Sequence, residues 1–154
     1  MQKFFKYGSI FTGILTLCLL PFPFIQYANS ISKTYVKFNL FECLFGNSEY
    51  GIKFNIVILL LLIICIFSGF ISLLFKNKLY GYLTSMFAYI FSIVLSVFFK
   101  FYFLGLNKSY KYINIKDANK VEYGLMIMII ILAIGAYFSY MSMAYEYDLI
   151  KSKK

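Results

Sequence analysis

The chain has 154 residues, 62% of them hydrophobic and only 14% charged. A soluble domain carries about 25% charged residues, so an ordinary water-soluble globule is excluded and the bilayer is the natural solvent for one domain-sized unit over residues 1–154. The formal net charge of +9 comes entirely from lysines lying between apolar runs, which points to lipid headgroups and not to nucleic acid as the counter-charge.

The first charge-free run, Tyr7–Ser32, lies between Lys6 and Lys33. It predicts a helix near 7–28. Lys3, Lys6, the apolar core and Ala28-Asn29-Ser30 also have a signal-peptide layout, but the core is long for a signal, and a retained span is expected. Pro21 and Pro23 each remove a backbone donor and clash with the preceding turn, so the helix should kink or end there. That would place Phe22, Phe24 and Tyr27 at the outer interface.

The outer loop that follows, 29–53, contains "TYVKFNLF" and "YGIKFNI", which alternate in polarity around "GNSE". Period-two alternation around a turn predicts a short hairpin. Three further charge-free runs follow: Phe54–Phe75 with 22 residues, Leu79–Phe99 with 21 and Tyr123–Tyr145 with 23. Since about 20 apolar residues cross a hydrocarbon core of roughly 30 Å, these predict helices near 54–75, 80–104 and 122–147. The second and third are joined by a tight "KNKLYG" turn, making them antiparallel neighbours. The second outer loop, 105–121, holds "SYKYINI" (Ser109–Ile115), a third candidate strand, and Asn107-Lys108-Ser109, a glycosylation triplet. "NKVE" (Asn119–Glu122) has the form of a capping box and predicts a helix start near Lys120. The expected fold is therefore an all-α membrane protein, a four-transmembrane-helix bundle, with a small β-sheet formed by the two outer loops.

Orientation is read from lysine density near helix ends. Lys3, Lys6, Lys76, Lys78, Lys151, Lys153 and Lys154 fall in short segments on one side, so both termini are expected on the cytoplasmic side of the plasma membrane. Lys100 follows 21 residues counted from Leu79, about 31 Å of helix. At that depth it is an interface anchor able to snorkel to headgroups; the alternative is a buried pair with an outer acid such as Glu122. The apolar residues after it, Phe101, Tyr102, Phe103 and Leu104, extend a span already complete and are candidates for an outer partner contact.

Candidates for chemistry are few. The chain has no His, and no Asp or Glu lies inside a charge-free run, although ionisable groups are the usual relays within membranes. Cys18, Cys43 and Cys65 have no metal-site spacing. No catalytic residue, cofactor or metal site is expected. The informative pattern is small residues at helical spacing: Gly81, Ser85, Ala88, Ser92 and Ser96 in the third run, Gly135, Ser139 and Ser142 in the fourth, and Ser9, Gly13 and Thr16 in the first. In lipid, helices associate where small residues permit close approach and hydroxyls bond across. These stripes therefore face one another in the bundle, or one of them, foremost that of the third run, faces another subunit.

Four spans, both ends inside, and a longer strand-patterned first outer loop resemble the layout of claudin-like tetraspan proteins, in topology alone. That family's Trp-Gly-Leu-Trp…Cys…Cys signature is missing, since the chain has no Trp and Cys43 has no loop partner, so no residue role is carried over. The resemblance implies an adhesion or barrier protein. The residues themselves favour a non-catalytic accessory subunit that packs against a larger membrane protein and stabilises or regulates it, its partners being the bilayer and another membrane protein or itself. A small homo-oligomeric channel or membrane-permeabilising protein, lined by a Ser/Thr face, is the other class.

Overall fold

The computed structural model describes residues 2–28, 35–50, 52–75, 77–107 and 120–152. In chain order these form α1 (Gln2–Leu15) with a 3-10 turn over Thr16–Leu19, β1 (Pro23–Ala28), β2 (Tyr35–Asn39), α2 (Leu40–Phe45), α3 (Ile56–Leu74), α4 (Lys78–Val97), α5 (Phe99–Asn107), β3 (Lys120–Val121) and α6 (Tyr123–Lys151). Helices α3, α4 and α6 are long and apolar enough to cross a membrane, by length and composition.

Four spans were expected and three meet that measure. The apolar helical stretch of the first run, Phe4–Leu19, is shorter. The helix predicted over 7–28 begins earlier, tightens into the 3-10 turn and gives way to strand at Pro23. The cause is local. Pro21 and Pro23 cannot donate into the turn and their rings block it, whereas a fixed φ suits the first residue of a strand. Phe24, placed at the outer interface from sequence, is instead fully buried.

The four long helices form a closed ring. α1 packs on α3 and α6, and α4 packs on α3 and α6. The third predicted helix, 80–104, is not continuous. It stops at Phe98, whose N–H bonds the carbonyls of Leu95 and Ser96, and resumes as α5. Ser92 and Ser96 donate to the carbonyls of Ala88 and Ser92 one turn back, at 2.9 and 2.7 Å; such back-bonding bends helices. The break lets α5 bring Phe99 and Phe103 into the core, beside Phe24 (5.3 Å between ring centroids) and Phe38 (6.1 Å).

Above the ring sits a three-stranded sheet in the order β2-β1-β3. Both pairings are antiparallel, Tyr27 opposite Val36 and Ile25 opposite Val121. Among the described residues the hairpin predicted within the first outer loop does not form, and an isolated bridge, Asn47 to Ile52, is what joins its two halves. β2 pairs with the strand that follows α1, because Asn39-Leu-Phe-Glu starts a helix where the hairpin would have continued. The Asn39 side chain accepts from the Glu42 N–H at 2.8 Å, and the Asn39 N–H donates to the Glu42 carboxylate at 3.0 Å, a capping box. Gly46, at φ 90°, ends that helix, a conformation glycine adopts without penalty. The capping expected at Asn119 falls outside the described residues. α6 starts at Tyr123, with Glu122 as an N-cap that makes no side-chain cap. The candidate strand Ser109–Ile115 also lies outside the described residues; the second outer loop contributes Lys120–Val121 instead.

Helix ends in an apolar setting must satisfy their backbone groups internally. α2 does this with the segment that links the 3-10 turn to β1. The N–H groups of Leu40 and Phe41 donate to the carbonyls of Phe22 and Leu20, each at 3.1 Å. Asn55, fully buried, caps α3 through the N–H groups of Val57 and Ile58 and donates from Nδ2 to the Tyr102 carbonyl at 3.2 Å, tying α3 to α5.

Candidate functional site

Three features could carry function: the polar centre of the bundle, the outer faces of the helices, and the cap.

The small-residue stripes converge on the centre. Ser9 of α1, Ser139 of α6, Ser85 of α4 and the Ser68 carbonyl of α3 form one chain, with contacts of 2.8, 3.0 and 2.6 Å. Each hydroxyl has a single proton. Ser85 spends its own on the Ser68 carbonyl, so Ser139 donates to Ser85 and Ser9 donates to Ser139. The chain therefore runs one way through all four helices. It ends on a carbonyl, which cannot pass a proton on, so this arrangement holds helices together and does not relay charge.

One turn outward, Tyr89 of α4 is completely buried. Its hydroxyl donates to the Ser9 carbonyl on the opposite helix and lies 3.0 Å from the Thr12 hydroxyl. Thr12 donates to the same carbonyl at 2.7 Å. The ring fits because Gly69 and Gly135 leave it room. A Cβ at Gly135 would lie 2.6 Å from the ring, and one at Gly69 would lie 2.6 Å from the Ser9 carbonyl oxygen and 2.9 Å from the phenol oxygen. The stripe also sets the helix spacing elsewhere. Gly13 lies against the Ile66 carbonyl and Gly81 against the Ser72 carbonyl, while Thr16 donates to the Gly13 carbonyl at 2.6 Å. Ser92 and Ser96 are buried and spend their hydroxyls on their own helix, Ser142 is buried with no partner for its hydroxyl among the described residues, and Ala88 is half-buried. These hydroxyls lie inside the bundle, not on its outer surface. Gly69 was not singled out from sequence, although Ser68-Gly69 and Ser72 in the second run carry the same small-residue spacing.

The outer faces are apolar. α1 and α6 enclose a groove of about 540 Å³ whose lining includes Phe4, Gly8, Phe11, Ile134 and Phe138. Beside it, Tyr137 is 55% exposed, its ring 6.2 Å from that of Phe138. Among the described residues its hydroxyl has no hydrogen-bond partner.

In the cap, Lys37 of β2 pairs with Glu122 at 3.3 Å; Glu122 is 10% exposed and Lys37 52%. The acid considered as a partner for Lys100 is thus taken by Lys37. Lys100 itself is half-buried on α5 and makes no ion pair among the described residues. Of the candidate outer contacts, Phe101 is 66% exposed and Tyr102 half-buried, but Phe103 is fully buried against the sheet and unavailable to a partner. The Leu104 side chain lies outside the described residues. Tyr82 is buried in the bundle, while Tyr80 and Tyr147 are exposed. Cys43 is buried in α2, and burial, reinforced by the neighbouring Glu42 charge, pushes its thiol well above the ordinary value. Among the described residues, no three His, Cys, Asp or Glu side chains come together as a metal site would need.

No family model matches the chain, and neither a curated protein nor a solved structure matches it.

Proposed function

We propose that the protein is a non-catalytic integral membrane subunit that packs against a larger membrane protein through its α1/α6 face and stabilises or regulates it. Tyr137 carries this reading. It lies fourteen residues from each end of α6, about 21 Å in either direction. If α6 spans the bilayer, that position is within the hydrocarbon. A phenol there without a hydrogen-bond partner is costly, and a partner helix seated beside the α1/α6 groove would supply an acceptor. A Ser/Thr-lined pore is less well supported, since the hydroxyls of Ser9, Ser139 and Ser85 are spent on one another and on the Ser68 carbonyl across the centre of the bundle. In the same proposal both termini face the cytoplasm at the plasma membrane, which the lysine density at 3–6, 76–78 and 151–154 supports.

The test is purification in mild detergent from native membranes, followed by mass measurement, for the wild type and Tyr137→Phe. The wild type should copurify in fixed ratio with a different membrane protein, and Tyr137→Phe should reduce recovery without lowering the thermal midpoint. A closed homo-oligomer that conducts ions in planar bilayers would overturn the reading.

A second reading has its own observation. The sheet pairs β2 and β3, one from each outer loop, with β1 between them, and presents Tyr35 at 67% exposure on edge strand β2. An adhesion role would show as clustering of proteoliposomes that Tyr35→Ala abolishes.

A further inference from the structure

The short helix α2 has two apolar faces. Leu40, Cys43 and Leu44 are buried beneath the sheet, while Phe41 and Phe45 point away from it at 51% and 52% exposure. The exposed pair is not isolated. Phe41 stacks near Phe45 at 4.7 Å, and Phe45 lies 6.4 Å from Phe54, which is also exposed. Phe54 leads into Ile56, Leu60, Ile63, Phe67 and Leu74, the outward stripe of α3, at spacings of 4, 3, 4 and 7 residues that keep one helical face. α3 is one of the three helices long and apolar enough to span a membrane. Whatever covers its outward stripe continues without interruption over α2.

We propose that α2 lies in the outer interface of the bilayer, with Phe41, Phe45 and Phe54 inserted among the headgroup-proximal acyl carbons, so that the cap is seated on the membrane surface and does not stand off it. Backbone chemistry supports a lipid occupant. A short helix whose end groups are satisfied internally can lie against the acyl carbons without stranding backbone donors. Its first three N–H groups are taken by the Phe22 carbonyl, the Leu20 carbonyl and the Asn39 side chain, and the Leu44 carbonyl accepts from the Asn55 N–H at 2.9 Å. The Glu42 carboxylate is likewise occupied, by the Asn39 N–H and by Asn47 Nδ2 at 2.9 Å. Beside α2, whose Leu40 N–H bonds the Phe22 carbonyl, exposed Phe22 lies 6.2 Å from exposed Tyr123 between ring centroids. Tyrosine, with an apolar ring and a polar tip, collects at this boundary. The proposal rests on the membrane-spanning reading of α3.

The chain contains no tryptophan, so one introduced residue reports its own surroundings. Phe41→Trp and Phe45→Trp, each in the full chain reconstituted into phosphatidylcholine vesicles, should emit to the blue of free tryptophan. They should also be quenched about twofold more by lipids brominated near the headgroup than by lipids brominated near the chain terminus, and resist aqueous iodide. Leu60→Trp, on the same stripe within α3, should prefer the deeper bromines, and Tyr35→Trp should be iodide-accessible. Emission like that of free tryptophan with iodide quenching at positions 41 and 45 would overturn the proposal, as would protection from both bromine and iodide, which would mean protein covers the face. If Leu60→Trp also escapes bromine, the spanning reading of α3 fails; if only the α2 positions escape, the seating of the cap fails.

Discussion

The phenol of Tyr89 on α4 donates to the carbonyl oxygen of Ser9 on α1, joining two helices that sit diagonally in the bundle and are not neighbours in its ring. Three further groups depend on that contact: Thr12, which shares the carbonyl, and Gly69 and Gly135, which keep the slot open. The centre of the bundle is therefore a single coupled unit.

Tyr89→Phe removes the hydroxyl while leaving the ring, so it should cost about 1 kcal/mol, read as a lowered thermal midpoint in detergent. Thr12 retains the Ser9 carbonyl, which limits the loss.

Gly135→Ala drives a methyl into the buried ring and should cost about 1–3 kcal/mol. The methyl would also meet the Thr12 hydroxyl at 2.7 Å, so in a Tyr89→Leu background, which vacates the ring's far end, the same substitution should cost less without becoming free. Additive losses would mean that the methyl is felt elsewhere. Gly69→Ala meets backbone of α1, which cannot rotate away, so no such rescue is expected.

Asn55→Ala removes an N-cap and leaves the Tyr102 carbonyl without its donor, for a loss of about 2 kcal/mol. Asn55→Asp should not rescue it, since the acceptor returns but the donor does not. Thermal midpoints of the two variants and wild type check this.

Cys43 should resist maleimide in the folded protein and react only on unfolding. Its folded pKa lies above that of the unfolded chain. Its contribution to stability is then fully present below the ordinary thiol value and is lost as pH rises through the alkaline range, because the unfolded state ionises first. Cys43→Ala should flatten that alkaline decline, measured by midpoint against pH.

Glu122→Gln should lower the midpoint by less than about 1 kcal/mol equivalent, because Lys37 is half in solvent. High salt should narrow the gap between variant and wild type.

How much was legible in the chain varies by residue. The runs behind α3, α4 and α6 are readable because a span needs only length and freedom from charge. A break of the first helix at Pro21 and Pro23 was also readable, since a proline acts on its own turn and the one before it, but α1 itself already ends at Leu15. That β1 would grow directly from those prolines was not, because a strand exists only through its partners, here Tyr35–Asn39 and Lys120–Val121. The alternating residues 35–41 suggested a hairpin with their neighbours, but the local capping box at Asn39 and Glu42 competed for the same backbone groups and prevailed.

The sequence by itself determined the medium and the small-residue faces: apolar runs bounded by lysines, and Gly, Ser and Thr at spacings of three and four. These follow from composition and helical periodicity, which are local. Only the tertiary structure decided which hydroxyls meet, which glycines hold Tyr89 open, and that Phe103 turns inward while Phe101 stays out. Those outcomes depend on pairs as distant as Ser9 and Ser139, 130 residues apart. Helical spacing puts a hydroxyl on a face, but the direction and partner of its hydrogen bond are set only when the facing helices close around it.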